Sequence, residues 1–186
     1  MKKSSPDVVY KELLQGETVA LVVEHELHGV TPEMIDWWWD NMDNDTYRLW
    51  HPRDHLALEW QIPPLQVGHA GAISMACEKI SDVPAQILRI RWEEPGASPV
   101  ATIHSHVNVG SILGTSPDDI PVGCIVHEYE ETSYGTRMRS TFTFPAGVPP
   151  EFLDSLRKHN IVEMGRFPEF LPQLYKQKTG LFSSNL

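Results

Sequence analysis

Hydrophobic and polar positions alternate over long stretches of this chain, and this alternation predicts a protein built mainly from β-strands. The first strand is predicted over residues 18–26, which are rich in valine and leucine. Six further candidate strands follow, and turns that contain proline separate them. They are predicted over residues 56–60, 69–81, 86–92, 100–107, 122–130 and 136–144.

Helical periodicity first appears just after the first predicted strand. Thr31 suits the N-cap of a helix and Pro32 suits its first position. The helix is predicted to end near Met42. It carries three consecutive tryptophans at 37–39, which cannot all face one direction, so we expect a helix buried on most sides.

A longer helix is predicted to open at Pro149-Pro150, and Pro168 and Pro172 should kink it or break it into segments. The element order is then strand, helix, six strands, helix. This order predicts an α+β fold in which a curved antiparallel sheet of about seven strands grips a long C-terminal helix. Such an arrangement leaves a cavity between sheet and helix that suits a small molecule.

Length and composition favour a single soluble domain over residues 1–186, with loosely ordered tails at 1–16 and 177–186. The chain has 186 residues and a net charge of -10, which disfavours nucleic-acid binding. No apolar run approaches the roughly 20 residues of a membrane span. The first residues lack the apolar stretch of a signal peptide, and Cys77 and Cys124 do not make a disulfide framework. We therefore expect a cytoplasmic protein with no membrane partner.

His159 and Glu163 are the first candidates for site chemistry. Apolar residues of the last helix advance in steps of three and four, and this pair falls on the same series. A histidine and a carboxylate one turn apart on the inward face can both reach one metal ion. On spacing alone, a core histidine hydrogen-bonded to its neighbouring carboxylate is the simpler interpretation. A mixed histidine and carboxylate set suits Zn, Fe(II), Mn or Co.

The stretch from Tyr47 to His55 is dense in functional residue types. If a strand begins at His55, this ring shares a face with Glu59, and the two side chains lie about 13 Å apart, too far to hold one ion. A further carboxylate must then come from elsewhere. Glu78 is the best source, because small side chains share its side of a predicted strand. An outward, solvated Glu78 fits the pattern equally well.

For several other candidate site residues, the sequence allows two interpretations. His104 and His106 alternate along a predicted strand and could bind zinc together, but two polar side chains on a wet sheet face are the simpler interpretation. His127 is either an acid–base group in the cavity or a sheet residue. Tyr47 either donates a hydrogen bond to a substrate oxygen or packs on Trp50.

Three more histidines lie outside these patterns. His25 and His28 flank a loop and are most simply surface residues. His51 either supports a metal ligand from behind or is merely exposed.

Five blocks of sequence carry a resemblance to a known family. They are His28-Gly-Val-Thr-Pro-Glu-Met-Ile-Asp-Trp-Trp38, Tyr47-Arg-Leu-Trp-His-Pro-Arg-Asp-His55, Arg137-Met-Arg-Ser-Thr-Phe142, His159-Asn-Ile-Val-Glu163 and Phe170-Leu-Pro-Gln-Leu-Tyr175. In this order, over roughly residues 20–176, they resemble the family of 2,4-diacetylphloroglucinol hydrolase and phloretin hydrolase. The first two blocks and the last are the specific ones.

The resemblance implies a helix-grip fold of the Bet v 1 and START type, together with a zinc ion held by two histidines and two glutamates. His55, His159 and Glu163 match three of the family ligands. Glu78 is assigned to the remaining carboxylate, although its spacing from His55 is shorter than in the family. Tyr47 matches a tyrosine that contacts phenol oxygens of the substrate.

The resemblance further implies a hydrolase that cleaves the carbon–carbon bond between an acyl group and an aromatic or enolic carbon. Zinc would activate water and polarise the acyl carbonyl. Glu163 or Glu78 would return a proton to the ring carbon, while Tyr47 and His127 hold the oxygens. We expect a small aromatic or polyketide-like substrate.

The sequence leaves open whether the protein dimerises and whether it has a different activity. The family hydrolases are longer, and their additional N-terminal region helps to form a dimer, so a homodimer is open here. One alternative function is a non-catalytic carrier of hydrophobic small molecules, since the same fold can enclose a ligand without a metal. Another is a different reaction at the same site, such as ester or β-diketone hydrolysis.

Overall fold

The computed structural model describes residues 5–80 and 84–180 of the chain. Its seven strands are β1 (Thr18–His28), β2 (His55–Ile62), β3 (Ile73–Glu78), β4 (Gln86–Glu93), β5 (His106–Leu113), β6 (Pro121–Thr132) and β7 (Gly135–Pro145). Its helices are α1 (Pro6–Val9), α2 (Pro32–Asn41), α3 (Asn44–Trp50), α4 (Pro64–Val67), α5 (Pro150–Gly165) and α6 (Phe167–Thr179). Short 3-10 turns lie at Leu13–Gln15 and Pro95–Ala97.

The seven strands form one antiparallel sheet in the order β1-β7-β6-β5-β4-β3-β2, so β1 and β2 are its two edges. Helices α2 and α3 connect these edges. Helix α5 packs on β1, and α6 packs on α2 and α3. The apolar face of the sheet is thereby covered by helices, which confirms the predicted helix-grip architecture.

Helix α2 forms where the sequence predicts it and provides much of the core. Thr31 occupies the N-cap and Pro32 the first turn, although the Thr31 side chain makes no capping hydrogen bond. Trp38 and Trp39 are buried, while Trp37 is partly exposed. Four of the ten residues of α2 are exposed, so the helix is less enclosed than expected.

The predicted C-terminal helix is broken, as its prolines suggested. Helix α5 ends at Gly165, and α6 begins at Phe167 with Pro168 in its first turn. A proline is well accommodated there because its missing N–H would have no partner in the first turn. Pro172 lies inside α6 and does not end it.

Two strands differ from their predicted bounds by more than two residues. Residues 69–72 form a turn, so β3 begins only at Ile73, and residue 81 lies outside the described residues. The strand predicted over 100–107 is largely wrong, because β5 begins at His106. Before it, the backbone N–H groups of Ile103 and His104 donate to the Glu128 carboxylate at 2.5 and 2.9 Å. A side chain therefore satisfies this backbone in place of a neighbouring strand.

Helix α3 was missed by the periodicity argument because it is short. Asp43 caps it, accepting a hydrogen bond from the Thr46 N–H at 2.8 Å, while the Thr46 hydroxyl accepts one from the Asp43 N–H at 3.0 Å. This reciprocal pair is a capping box, and its Asp-x-x-Thr spacing was a usable signal in the sequence. The helix positions the segment that leads into β2.

The chain ends are more ordered than predicted where they are described. Tyr10 and Leu13 are buried against the sheet, and α6 continues to Thr179. Residues 1–4 and 181–186 lie outside the described residues, so the prediction of loose tails stands untested there. Among the described helices, none is both long and apolar enough to span a membrane.

Candidate metal centre and cavity

A β-bulge decides which way His55 points. His55 pairs with Glu78, but the next paired residue on β2 is Ala57, so one residue is left over. The extra residue shifts the alternation, and His55 faces the inner side of the sheet at 1% exposure while Glu59 faces solvent. The expectation that His55 and Glu59 share a face is therefore wrong. The same register places His55 directly opposite Glu78.

Four side chains singled out in the sequence converge between the sheet and α5. The Nε2 atoms of His55 and His159 lie 3.3 Å apart. Glu78 Oε2 lies 3.3 Å from His55 Nε2 and 3.2 Å from His159 Nε2. Glu163 Oε2 lies 3.4 Å and 3.7 Å from the same two nitrogens. Ligand atoms around a tetrahedral zinc lie about 3.3 to 3.6 Å apart, given bonds of roughly 2.0 to 2.2 Å, so these five distances are close to those around such an ion.

The far side of each histidine ring is held by an acceptor. His55 Nδ1 lies 3.2 Å from the carbonyl oxygen of Tyr47, and His159 Nδ1 lies 3.4 Å from Asp54 Oδ2. Both acceptors favour a hydrogen on Nδ1, which leaves the Nε2 lone pairs directed at the centre. The rings are thus oriented as metal-binding histidines are.

The charges of the centre are strongly coupled. Burial alone would lower the pKa of His55, but hydrogen bonds with Glu163 and Glu78 raise it to about 9. Burial alone would raise the pKa of Glu78, but hydrogen bonds from His159 and His55 lower it to about 2. The His159 pKa is raised and the Glu163 pKa is lowered against the same burial effects. Two buried carboxylates at this place therefore require positive charge, from protons on the rings or from a metal ion.

His51 and Asp54 lie behind His159. His51 is buried, its Nε2 lies 3.4 Å from Asp54 Oδ2, and its ring stacks on the His159 ring with centroids 4.5 Å apart. Of its two open interpretations, the structure places His51 behind a candidate ligand and not on the exposed surface. Asp54 was missed as a site residue, although it directly precedes His55 in a block that carries the family resemblance.

Glu163 also has support from behind. Asn160 Nδ2 donates to Glu163 Oε1 at 2.7 Å, and Asn160 Oδ1 lies 2.9 Å from His25 Nε2. The expectation that His25 is a surface residue is therefore wrong. A signal was present in the sequence, because His25 alternates with Val23 and Leu27, which face the core.

Glu78, His159 and Glu163 line an apolar cavity of about 150 Å³, whereas His55 is enclosed beside them and does not reach it. Glu78 reaches it from the same side of β3 as Ser74 and Ala76, so the inward interpretation of Glu78 is confirmed. Trp39, Trp92, Phe142, Phe152 and Leu156 form part of its wall. A cavity of this size and lining can hold about one aromatic ring.

Tyr47 packs on Trp50, as one of its two interpretations predicted, whereas its hydrogen bond to a substrate oxygen stays a prediction. Its hydroxyl lies 3.4 Å from Glu78 Oε2 and its ring packs edge-on against Trp50. The same ring stacks on His55 with centroids 4.1 Å apart. Burial and the nearby Glu78 charge raise the Tyr47 pKa well above its usual value, so the hydroxyl is a donor at neutral pH.

His127 lies on the cavity wall as a neutral ring. Its Nδ1 lies 2.9 Å from Ser140 Oγ, and its ring stacks on Trp39 with centroids 5.1 Å apart. Burial lowers its pKa to about 4. At neutral pH this ring is therefore uncharged, so it can form hydrogen bonds but is a poor general acid.

His104 and His106 are not brought together with the centre. His104 precedes β5 and lies 3.3 Å from Glu130 Oε2, whereas His106 lies 2.9 Å from Asp36 Oδ2. The two rings thus have different partners and do not form the shared site that alternation suggested. His28 is exposed, as predicted.

A family model described as the DAPG hydrolase PhiG domain matches residues 3–148, well over half of the chain. The chain belongs to this family. The resemblance stated from the sequence blocks is thereby confirmed. The matched region contains Tyr47, His55, Glu78 and His127, whereas His159 and Glu163 lie beyond it on α5. No curated protein shows a significant match to the sequence.

Solved structures show the same fold in distant proteins. The crystal structure of Ara h 8.0201 has a TM-score of 0.59 and 12% identity, and covers 84% of this chain and 99% of its own. The solution structure of the KanY protein has a TM-score of 0.60 and 7% identity, with the same coverage. At such identities the likeness shows the Bet v 1-like fold alone.

Proposed function

We propose that this family member is a metal-dependent hydrolase of a small acylphloroglucinol-like substrate. The bond cleaved joins an acyl carbon to an aromatic or enolic carbon. The observation that carries the proposal is the convergence of two histidines and two glutamates beside an apolar cavity, in a chain of the DAPG hydrolase family. His55, Glu78, His159 and Glu163 would hold the ion. Zinc is the first choice, and Fe, Mn or Co suit the same donors.

The donor set itself supports a cation at this place. With Nδ1 of each ring engaged behind, His55 and His159 present lone pairs, and Glu78 and Glu163 present carboxylate oxygens. When both rings are neutral, the four acceptors meet without a donor and repel one another in a buried site. A divalent ion would relieve this repulsion at all four atoms.

The cavity would select and orient the substrate. Its apolar wall suits an aromatic ring, and when bound nearby the ion would supply Lewis acidity toward the acyl carbonyl and activation of water. Tyr47 would donate its hydroxyl to a phenol oxygen. His127 is uncharged at neutral pH and contacts Ser140 through Nδ1, and this ring would hydrogen-bond a second oxygen of the substrate.

The proposed reaction is a hydrolysis in which water is the co-reactant. Water adds its oxygen to the acyl carbon, the bond from acyl carbon to ring carbon breaks, and the ring carbon takes a proton. Glu78 and Glu163 both line the cavity and are the carboxylates placed to move that proton. Phenol oxygens beside the reacting carbon delocalise the charge that forms on the leaving ring.

The direct test combines metal analysis with a substrate panel. Purified protein should contain about one metal ion per chain and cleave acylphloroglucinols in preference to β-diketones and aryl esters. His159→Ala should lose both metal and turnover, whereas His28→Ala, which removes an exposed histidine, should keep both. A protein without stoichiometric metal, or one whose His159→Ala variant keeps its metal, would sink the proposal.

The assay also separates the carrier alternative. Binding of acylphloroglucinols without turnover, unchanged by a chelator, would identify a carrier of hydrophobic ligands. Metal-dependent turnover of β-diketones or esters alone would keep the centre and change the substrate.

A further inference from the structure

The two carboxylates of the proposed centre differ in how they are held. Asn160 Nδ2 donates to Glu163 Oε1 at 2.7 Å, and Asn160 is fully buried. Asn160 Oδ1 in turn lies 2.9 Å from His25 Nε2, which reaches it from β1. Glu163 is therefore tied to the sheet through two further side chains, and its Oε2 alone is left for the centre.

Glu78 has weaker support. Its described side-chain contact outside the centre is the Tyr47 hydroxyl at 3.4 Å, close to the limit for a hydrogen bond. Glu78 is also the last residue of β3, whereas Glu163 lies inside α5.

Glu78 also has room to move. A pocket of about 80 Å³ adjoins the cavity, and Glu78 belongs to the walls of both. Gln86, directly opposite Glu78 in the β3–β4 register, lines both spaces as well. Directly opposed residues share a sheet face, so the Gln86 amide is within reach of a displaced Glu78 carboxylate.

We propose that Glu163 is the anchored ligand, positioned by Asn160 and His25, and that Glu78 is the exchangeable ligand that turns toward Gln86. This inference rests on the proposed metal-dependent function. Four protein ligands fill a tetrahedral zinc, and catalysis needs an open position. The hydrogen bonds decide which carboxylate leaves, because Glu78 has the weaker hydrogen bond to give up.

Matched pairs of variants test the assignment through zinc affinity. Zinc dissociation constants would be measured by competition with a chromophoric chelator, on metal-stripped protein. Glu163→Gln should weaken zinc binding by more than about 100-fold, and Glu78→Gln by about tenfold or less. Behind them, Asn160→Leu should weaken it about 10- to 100-fold, and Tyr47→Phe by less than about threefold. The first pair removes the negative charge of one carboxylate or the other. The second pair removes the hydrogen-bond donor that supports each carboxylate.

A positioning role must be separated from a structural one. Circular dichroism and the melting temperature of the metal-free protein would show whether each variant is folded. If Asn160→Leu does not fold, His25→Leu serves in its place, since it removes the support of Asn160 one step further away. A purely structural role would lower the melting temperature and leave the zinc affinity of the folded protein unchanged, which would overturn the positioning role.

The possible outcomes distinguish this inference from the proposed function. Wild-type protein that binds none of zinc, iron, manganese or cobalt would overturn both. Wild-type protein that binds zinc, with Glu78→Gln and Tyr47→Phe weakening it as much as Glu163→Gln and Asn160→Leu, would overturn the assignment alone. The expected order, with both changes on the Glu163 side dominant, supports it.

Discussion

The two faces of the sheet each carry a buried polar cluster, and the two clusters are built differently. On the outer face, Ser111 Oγ lies 3.0 Å from the Tyr10 hydroxyl and donates to Glu93 Oε1 at 2.7 Å. Arg91 Nε donates to the same carboxylate oxygen at 2.8 Å. Tyr10 can donate to Ser111, so the Ser111 oxygen and Glu93 Oε1 each receive a hydrogen from a neighbouring side chain.

The inner cluster of His55, Glu78, His159 and Glu163 lacks this balance. Its rings are held at Nδ1 by acceptors, and its Nε2 and carboxylate atoms meet at 3.2 to 3.7 Å. While the rings are neutral these atoms are all acceptors, and buried acceptors without donors are destabilising unless something else satisfies them. The difference teaches that the outer cluster can be structural by itself, whereas the inner one requires a proton or a cation. The following predictions test that contrast.

Metal removal should have the largest effect on the free energy of unfolding. This effect should require an intact inner cluster. Zinc at about 1,000 times its dissociation constant would raise the free energy of unfolding by about 4 kcal/mol, because it binds the folded state. A chelator should remove that stabilisation from wild-type protein. In His55→Ala the chelator should change little, because the ion is already lost. Urea unfolding with and without chelator measures both, and equal chelator effects in the two proteins would contradict the contrast.

Acid should destabilise the folded protein through His127, which lies on the inner face of the sheet. Its pKa is lowered from the ordinary 6.5 to about 4 by burial, so the folded state binds fewer protons than the unfolded state. The stability present above pH 6.5 is therefore lost as the pH falls toward 4, by about 3 kcal/mol. In His127→Phe, which keeps an aromatic ring beside Trp39, this part of the pH dependence should disappear. Unfolding free energies from pH 7 to pH 4 test it, and parallel pH profiles would refute it.

Disruption of the outer cluster should cost stability without touching the metal. Ser111→Ala leaves Tyr10 and Glu93 without their shared partner, which should lower the free energy of unfolding by about 1 to 3 kcal/mol. Its zinc affinity should stay within about twofold of wild type, whereas loss of a residue that supports a metal ligand from behind typically weakens binding by about tenfold or more. Denaturant unfolding and zinc titration on the same sample compare the two effects. A parallel loss of zinc affinity would show that the two faces are coupled.

The smallest expected effect comes from Asp54→Asn. The asparagine oxygen can still accept from His159 Nδ1, but the negative charge behind the ring is removed. We expect zinc binding to weaken about tenfold, the lower end of what is lost when a hydrogen-bond partner of a metal-binding histidine is changed. Zinc titration measures this, and Arg53→Ala is the control, because Arg53 contacts Asp54 from the exposed side. An unchanged affinity in Asp54→Asn would remove Asp54 from the support of the centre.

Much of the fold followed from local pattern. Helix α2, the break near Pro168 and most strands lie where spacing and punctuation predicted them. The strand over 100–107 failed because its backbone finds the Glu128 side chain as a partner, and that partner is 24 to 25 residues away in sequence. Local pattern cannot report such a contact.

The sequence by itself determined that His159 and Glu163 share the inner face of a helix, because their spacing equals about one helical turn. Its motif blocks also determined the family. Only the tertiary structure decided that His55 turns inward, since a one-residue bulge reverses the face of a strand. It also decided that Asn160 meets His25 across 135 residues of chain. Local spacing encodes which face a side chain occupies, while packing sets the distances between faces, and chemistry at a metal centre depends on those distances.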